Sequence, residues 1–373
     1  MTENLEIHIV SFTIPYPANY GGVIDVYYKI KTLYELSVKI HLHCFQYDRE
    51  ESSELNKYCK TVTYYYRPKR LKYFFSRSPF IVLSRSNKRL LETLQRDQFP
   101  ILFEGIHTTH FINELVNDSR KIVVRAHNIE HDYYLQLAKK ESNIFKKIFF
   151  YSEAIKLRNY EKILKSKIKL AGITEKDCAY FKTLNSDTFL IPVFHQHNEI
   201  NIKSGNGNYI LFHGNLSVNE NIEAAKYILQ NICPKINFQF KFAGKDPDKR
   251  LYKLINKTEN AEIIANPPEK TMQELIREAH INLLISFQNT GIKLKLINAL
   301  YSGRHCIVNN EMTDRTGLET LCHNHNSPKK IIQEIKQLLN LSFTHEEINK
   351  RGHILLKNVN NKDGAQKLIN LLV

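Results

Sequence analysis

Four groups of residues in this chain have types and spacings that could do chemistry. Gly21-Gly22 follows the loop Pro15-Tyr16-Pro17-Ala18-Asn19-Tyr20 and opens a helical pattern. Two adjacent glycines let an anion approach bare backbone N–H groups at a helix N-terminus; they would equally serve a tight turn between strand and helix. Asn289-Thr290-Gly291-Ile292-Lys293-Leu294-Lys295 repeats the arrangement in the second half. Lys293 falls in the first helical turn, where a cation opposes the helix dipole. A phosphate seated between its ammonium and the backbone amides would reverse that penalty; a solvated, snorkelling lysine is the alternative. His127, in Val123-Val124-Arg125-Ala126-His127-Asn128, sits where a strand ends, placed to hydrogen-bond a sugar hydroxyl or carry a proton. Glu104-Gly105-Ile106-His107 ends the preceding strand in the same way, with a weaker signal.

Other chemistries lack their residues. There is no H-E-x-x-H or Asp-x-Asp element, so no metal is expected, and no G-x-S-x-G hydrolase elbow. The six cysteines (Cys44, Cys59, Cys178, Cys233, Cys306, Cys322) show no Cys-x-x-Cys spacing. Reduced thiols in a cytoplasmic protein are expected.

The elements that position these groups are read from periodicity. Short apolar runs such as Leu5 to Phe12, Lys39 to Phe45, Thr61 to Tyr66, Ile101 to Glu104 and Lys121 to Arg125 alternate with amphipathic segments. This is the grammar of a parallel sheet wrapped by helices. It stops at Phe194 to Asn208, the linker candidate, where His195-Gln196-His197 reads as solvated, and restarts at Tyr209. The expectation is an α/β chain of two Rossmann-like, doubly wound domains facing a cleft. Residues 1–197 form the N-terminal domain, 208–355 the C-terminal one, and 356–373 a terminal helix packing back toward the N-terminal domain.

Composition narrows the partners. The 373 residues are 42% hydrophobic and 24% charged, as in well-packed globular proteins, and no run of about 18 apolar residues exists to span a bilayer. The formal charge of +15 (53 Lys and Arg against 38 Asp and Glu) favours a polyanionic partner, unless the source simply favours lysine. Tyr64 to Arg89 carries eight cations, seven aromatics and no acid, and Asn143 to Leu170 holds eight cations against two acids. In the second stretch Ile144, Ile148, Tyr151 and Ile155 form one apolar stripe. The interleaving of cations and aromatics is used by single-strand nucleic-acid binders and equally by membrane-surface patches; the alternative for both stretches is a solvated basic face covering a core.

Taken in order, the Gly-Gly loop, His127-Asn128-Ile129-Glu130, Phe212-His213-Gly214-Asn215-Leu216 with Asn219-Glu220-Asn221, Phe242-Ala243-Gly244-Lys245, and Thr290 to Lys295 with Ala299-Leu300-Tyr301-Ser302-Gly303 resemble the retaining glycosyltransferases of the two-Rossmann-domain (GT-B) type, close to family 4. The resemblance implies a nucleotide-sugar donor held mainly by the C-terminal domain and a glycan or lipid-linked acceptor held mainly by the N-terminal one. It implies no metal and no cofactor. By similarity Gly21 and Gly22 lie near the donor phosphates, with Gly214 and Asn215 on the same ligand. Gly291 and Lys293 hold the diphosphate with Lys295 as helper, and His127 touches the donor sugar. Glu104, His107 and Asn128 fall on the acceptor side. Two glutamates common in that family are Thr290 and Asn298 here, and Asn215 to Glu220 lacks the usual cation. The expected function is hexose transfer with retention, in polysaccharide biosynthesis, by a cytoplasmic enzyme peripheral on the inner membrane face. A nucleotide-sugar epimerase of the same fold is one alternative. A basic nucleic-acid-binding protein is another, opposed by the lack of any compact recognition motif.

Overall fold

A computed structural model describes residues 5–68, 70–117, 119–165, 167–287, 294–314 and 316–373. The chain divides into two compact units, residues 1–196 with 360–373 and residues 197–359.

The first unit is built on seven strands: β1 (Glu6–Ser11), β2 (Lys39–Gln46), β3 (Thr61–Tyr66), β4 (Ile101–Glu104), β5 (Ile122–Ala126), β6 (Lys169–Gly172) and β7 (Thr188–Leu190). They lie in the order β3-β2-β1-β4-β5-β6-β7, and every pairing is parallel. A parallel sheet is covered on both faces, which is why these strands read as near-continuous apolar runs. Ile7, Ile9, Ile40 and Leu42 bury one face with Val26 and Ile30 of the helix Gly21–Glu35. Val10, Phe45, Ile101 and Phe103 bury the other with Leu157. The helix Asn361–Leu372 returns to this unit, adding Ala365, Leu368, Ile369 and Leu372 to the first core. The Asn361 amide fixes it: Nδ2 donates to the His195 carbonyl at 2.7 Å and Oδ1 accepts the His195 N–H at 3.1 Å. His195 is therefore buried. The solvated reading of this segment is corrected, because its backbone completes polar networks inside the unit.

The second unit carries β8 (Ile210–His213), β9 (Phe240–Gly244), β10 (Ala261–Ala265), β11 (Ile281–Leu284), β12 (His305–Val308) and β13 (His323–Asn324), in the parallel order β10-β9-β8-β11-β12-β13. Phe212, Phe242, Leu283 and Ile307 of its sheet pack with Ile228 and Ile335. The helix His345–Asn358 was not anticipated from periodicity. It opens on a capping box of Thr344 and Glu347 and carries the chain to residue 359, four residues past the boundary at 355.

One of the alternatives left open for the basic stretches is excluded. In the helix Ile144–Tyr160 the buried residues are Glu153, Ala154 and Leu157. The stripe of Ile144, Ile148, Tyr151 and Ile155 faces solvent and covers no core. Periodicity establishes that a helix is two-faced but not which face turns inward.

Candidate active site

Strand order reverses between β1 and β4 in the first unit and between β8 and β11 in the second. Ligands of open α/β sheets bind beyond the carboxyl ends of strands at such switch points. The sequence-derived residues cluster at both.

In the first unit β4 ends in Glu104, β5 leads into His127, and the helix Gly21–Glu35 supplies Asp25 and Lys29 one turn apart. Lys29 Nζ donates to Asp25 Oδ2 at 2.9 Å and to both Glu104 oxygens at 2.7 and 2.8 Å. Arg125 donates to Asp25 Oδ1 at 3.1 Å and to the Pro192 carbonyl at 2.8 Å, and the Phe194 N–H donates to the same Asp25 oxygen at 2.8 Å. Asp25, Lys29, Glu104 and Arg125 are all buried. Burial pushes the Asp25 carboxyl upward, but Arg125, Lys29 and His127 together hold it well below the usual carboxylate range. Glu104 is likewise held low against burial, by Lys29 and His127. Two carboxylates and two cations cancel.

The product of this network is an oriented imidazole. His127 Nε2 lies 2.9 Å from Glu104 Oε2, and an ionised carboxylate only accepts, so Nε2 carries the proton. Nδ1 stays 3.9 Å from Asp25 Oδ2, beyond hydrogen-bond distance, and is the ring position left for a ligand. In the neutral ring Nδ1 accepts; it donates only in the imidazolium. Glu104, expected on the acceptor side, is fully enclosed, and its Oε2 meets His127 Nε2.

Phe12 packs between the two histidines, 5.5 Å from the His107 ring and 5.4 Å, edge-on, from His127. Gly22 lets the helix approach closely here: a Cβ would sit 2.9 Å from the Phe12 ring, and the ring would have to shift. Gly21 and Gly22 open the first turn of their helix, and Gly22 packs against Phe12. His107 Nδ1 is buried with no hydrogen-bond partner, and its Nε2 lies 4.0 Å from Glu130 Oε2. Burial, reinforced by the charge of Glu161, pushes the Glu130 carboxyl up to about 8, so it is a neutral acid at pH 7. The Asn128 side chain bonds Glu130.

The second edge is made differently. Gly214 and Asn215 follow β8, and Gly244 ends β9 so close to Gly214 that a Cβ would collide with the Gly214 carbonyl oxygen. Asn221, in the first turn of the helix Asn219–Asn231, donates from Nδ2 to the Asn215 carbonyl at 2.9 Å. Its Oδ1 accepts from Lys295 Nζ at 3.0 Å, and that ammonium stands 5.5 Å over the Phe212 ring. Ser286 hydrogen-bonds Glu220, and its N–H donates to Asn309 Oδ1 at 3.0 Å, joining the β8, β11 and β12 ends. Asn298 does not join this cluster. It accepts from His197 Nε2 at 2.9 Å, and the His197 ring stacks on Tyr301. Thr290, Gly291 and Lys293 lie outside the described residues.

Among the described residues, Asp25, Glu104 and His127 form a group whose ligand atoms lie within 4.8 Å of one another. Lys29 Nζ already stands between the two carboxylates, so a divalent ion would leave uncompensated positive charge in a buried site. The donor set does not fit a metal.

Sequence reasoning missed Asp25, Lys29 and Arg125. The available signal was a charged pair at i and i+4 on the same helix face as Val26, Ile30 and Leu33, a placement that costs stability unless each charge is paired. Ser286, Glu220 and Asn309 carried no such mark.

Comparison with known proteins bears on the fold that carries these residues. Residues 207–341 match the family model described as Glycosyl transferases group 1. An uncharacterized 44.6 kDa protein in the cps region of Klebsiella pneumoniae is 25% identical over 313 residues, spanning 79% of this chain and 80% of that protein. TarM of S. aureus, solved with fondaparinux, alpha-GlcNAc-glycerol and UDP, superposes with a TM-score of 0.66 at 12% identity, covering 99% of this chain and 100% of that one. HepE of Anabaena, solved with UDP and glucose, gives 0.64 at 11%, covering 99% of both chains. A glycosyltransferase of Rickettsia africae gives 0.66 at 12%, covering 99% of this chain and 98% of that one. The two doubly wound units have the GT-B fold, residues 207–341 of the second match the group 1 glycosyl transferase model, and the chain is a glycosyltransferase.

Proposed function

We propose that the chain moves a hexose from a nucleotide sugar to a glycan or lipid-linked acceptor, with retention of configuration and without a metal, as a cytoplasmic step of polysaccharide assembly. The observation that carries this reading is the buried Asp25–Lys29–Glu104–Arg125 network, which spends its charges on one another and holds His127 through Nε2 at a switch point. The relative from a cps region and the neighbours solved with UDP support the donor and acceptor classes.

In this reading the bond from the anomeric carbon to the diphosphate breaks as the bond to the acceptor oxygen forms on the same face. The acceptor proton passes to the departing phosphate oxygen. Positive charge placed at the leaving group before reaction stabilises the transition state. The sequence gives that role to Lys293 and the Gly291 amide, with Lys295 beside the Asn215 loop. His127 Nδ1 would accept a hydrogen bond from a donor-sugar hydroxyl.

The test is transfer from labelled nucleotide sugars to membrane extract, with and without EDTA. Wild type keeps its activity in EDTA. Lys293→Ala falls by about 10²- to 10³-fold, as when one preorganised contact to developing charge is lost. Equal transfer by both proteins overturns the assignment of Lys293, and loss of activity in EDTA overturns metal independence.

A further inference from the structure

We propose that the exposed face of the helix Ile144–Tyr160, together with the turn Leu71–Phe75, is a docking surface for an anionic bilayer. Ile144, Phe145, Ile148, Tyr151 and Ile155 stand in solvent along this helix, with Phe145 80% and Ile155 64% exposed. Phe75, on the adjoining turn, is 91% exposed. The two segments form one surface: the Phe74 ring packs 5.2 Å from Phe149, and Lys156 Nζ donates to the Phe74 carbonyl at 2.8 Å. Single exposed apolar residues need no explanation, but a contiguous group of six does.

Charge identifies the occupant. Residues 55–91 and 142–152 contain no Asp or Glu. Arg70, Lys72 and Lys146 are exposed around the apolar residues, with Lys147 half-buried among them. The acid carried by this helix within the patch, Glu153, is buried, its carboxylate held by the Phe80 N–H at 2.6 Å and Lys156 at 2.9 Å. Apolar side chains ringed by cations suit a helix lying in the headgroup plane of an anionic membrane. A second copy of the chain suits it poorly, because a two-fold contact sets each lysine patch against itself. Ile144, Ile148 and Ile155 interrupt the aromatic members, so the surface offers nucleic-acid bases no continuous stacking platform.

The surface deepens the proposed function by bringing the enzyme to lipid-linked acceptors. Only that statement about acceptors rests on the proposed function, since vesicle binding is measured without donor or acceptor. Loss of transfer and loss of binding are therefore separate results.

The experiment is co-sedimentation of the full chain with vesicles of equal parts phosphatidylglycerol and phosphatidylcholine, and with phosphatidylcholine alone. Wild type binds the anionic vesicles and is released by raised salt. The double variant Phe75→Ser/Ile148→Ser alters only exposed side chains and keeps the wild-type melting temperature. Its partition coefficient falls by roughly tenfold or more, the loss expected when buried apolar contact is removed. Lys146→Ala lowers partition to anionic vesicles by roughly fivefold and leaves phosphatidylcholine unaffected. No binding of wild type to anionic vesicles at low salt, or equal partition of wild type and the double variant, overturns the proposal. So does a concentration-dependent dimer abolished by the double variant, which would assign the face to a second copy.

Discussion

The two switch points solve one problem in different ways. At the β1–β4 edge, side chains with full charges are packed out of water and paired until they cancel, and one imidazole is held by the result. At the β8–β11 edge, glycines let strands and loops approach closely, and asparagine and serine side chains tie the strand ends together, with Lys295 reaching in from a helix. The first edge is rigid because breaking any pair strands a charge. The second is shaped by backbone proximity, so its tolerance is set by volume. The contrast separates two kinds of preorganisation, electrostatic and steric, within one fold class.

The sharpest way to break the comparison is at Lys29. Lys29→Met leaves two buried carboxylates facing one guanidinium and should destabilise the first unit by about 3–5 kcal/mol. Hydrogen exchange read peptide by peptide should show the loss in residues 5–196 and 361–372 and leave the second unit protected. Equal loss in both units would mean that the network stabilises more than its own edge.

Acid should act on both units, since each buries a neutral histidine. Burial pushes His43 in the first unit and His213 in the second down to about 3. Between that value and the ordinary 6.5 the unfolded chain binds protons that the folded chain refuses. Stability is therefore complete above pH 6.5 and falls as the pH drops, by up to about 1.4 kcal/mol per unit for each histidine. Urea midpoints at pH 7 and pH 5 measure the loss. His213→Phe should reduce the slope in the second unit alone, leaving the part due to His305, which burial pushes down to about 4.

Gly244→Ala tests the steric edge. The added methyl meets the Gly214 carbonyl and should cost about 1–3 kcal/mol by overpacking, confined to the second unit in the same exchange experiment. The smallest effect is expected from Asn221→Ala, which removes the bonds to the Asn215 carbonyl and Lys295. A loss near 1 kcal/mol in thermal unfolding should accompany weaker nucleoside diphosphate binding. Unchanged binding would remove Lys295 from the donor site.

Much of the architecture was legible in the sequence because doubly covered parallel strands leave unbroken apolar runs. Thr61–Tyr66 and Ile101–Glu104 were read to the residue for that reason. The helix His345–Asn358 escaped because its buried face includes Arg351 and Gly352, which blur the period, although Thr344 and Glu347 announced its start. The site was legible where a position at a strand end betrays it, as at His127 and Glu104. It was illegible where the chemistry depends on partners remote in the chain. Arg125 and Asp25 are 100 residues apart, and nothing in either neighbourhood names the other. The helix Ile144–Tyr160 marks a further limit, since a two-faced pattern is the same whether its apolar side meets a core or something the chain does not contain.

Because residues 361–372 complete the first core, the second unit is an insertion between two parts of the first. A ribosome makes residues 5–196 before residues 361–372, so the first core lacks Ala365, Leu368, Ile369 and Leu372 until the whole second unit has been made. The intervening unit has its whole sequence in hand earlier. Maturation is therefore expected to run against chain order: the inserted unit folds first, and the first unit waits for residues 361–372.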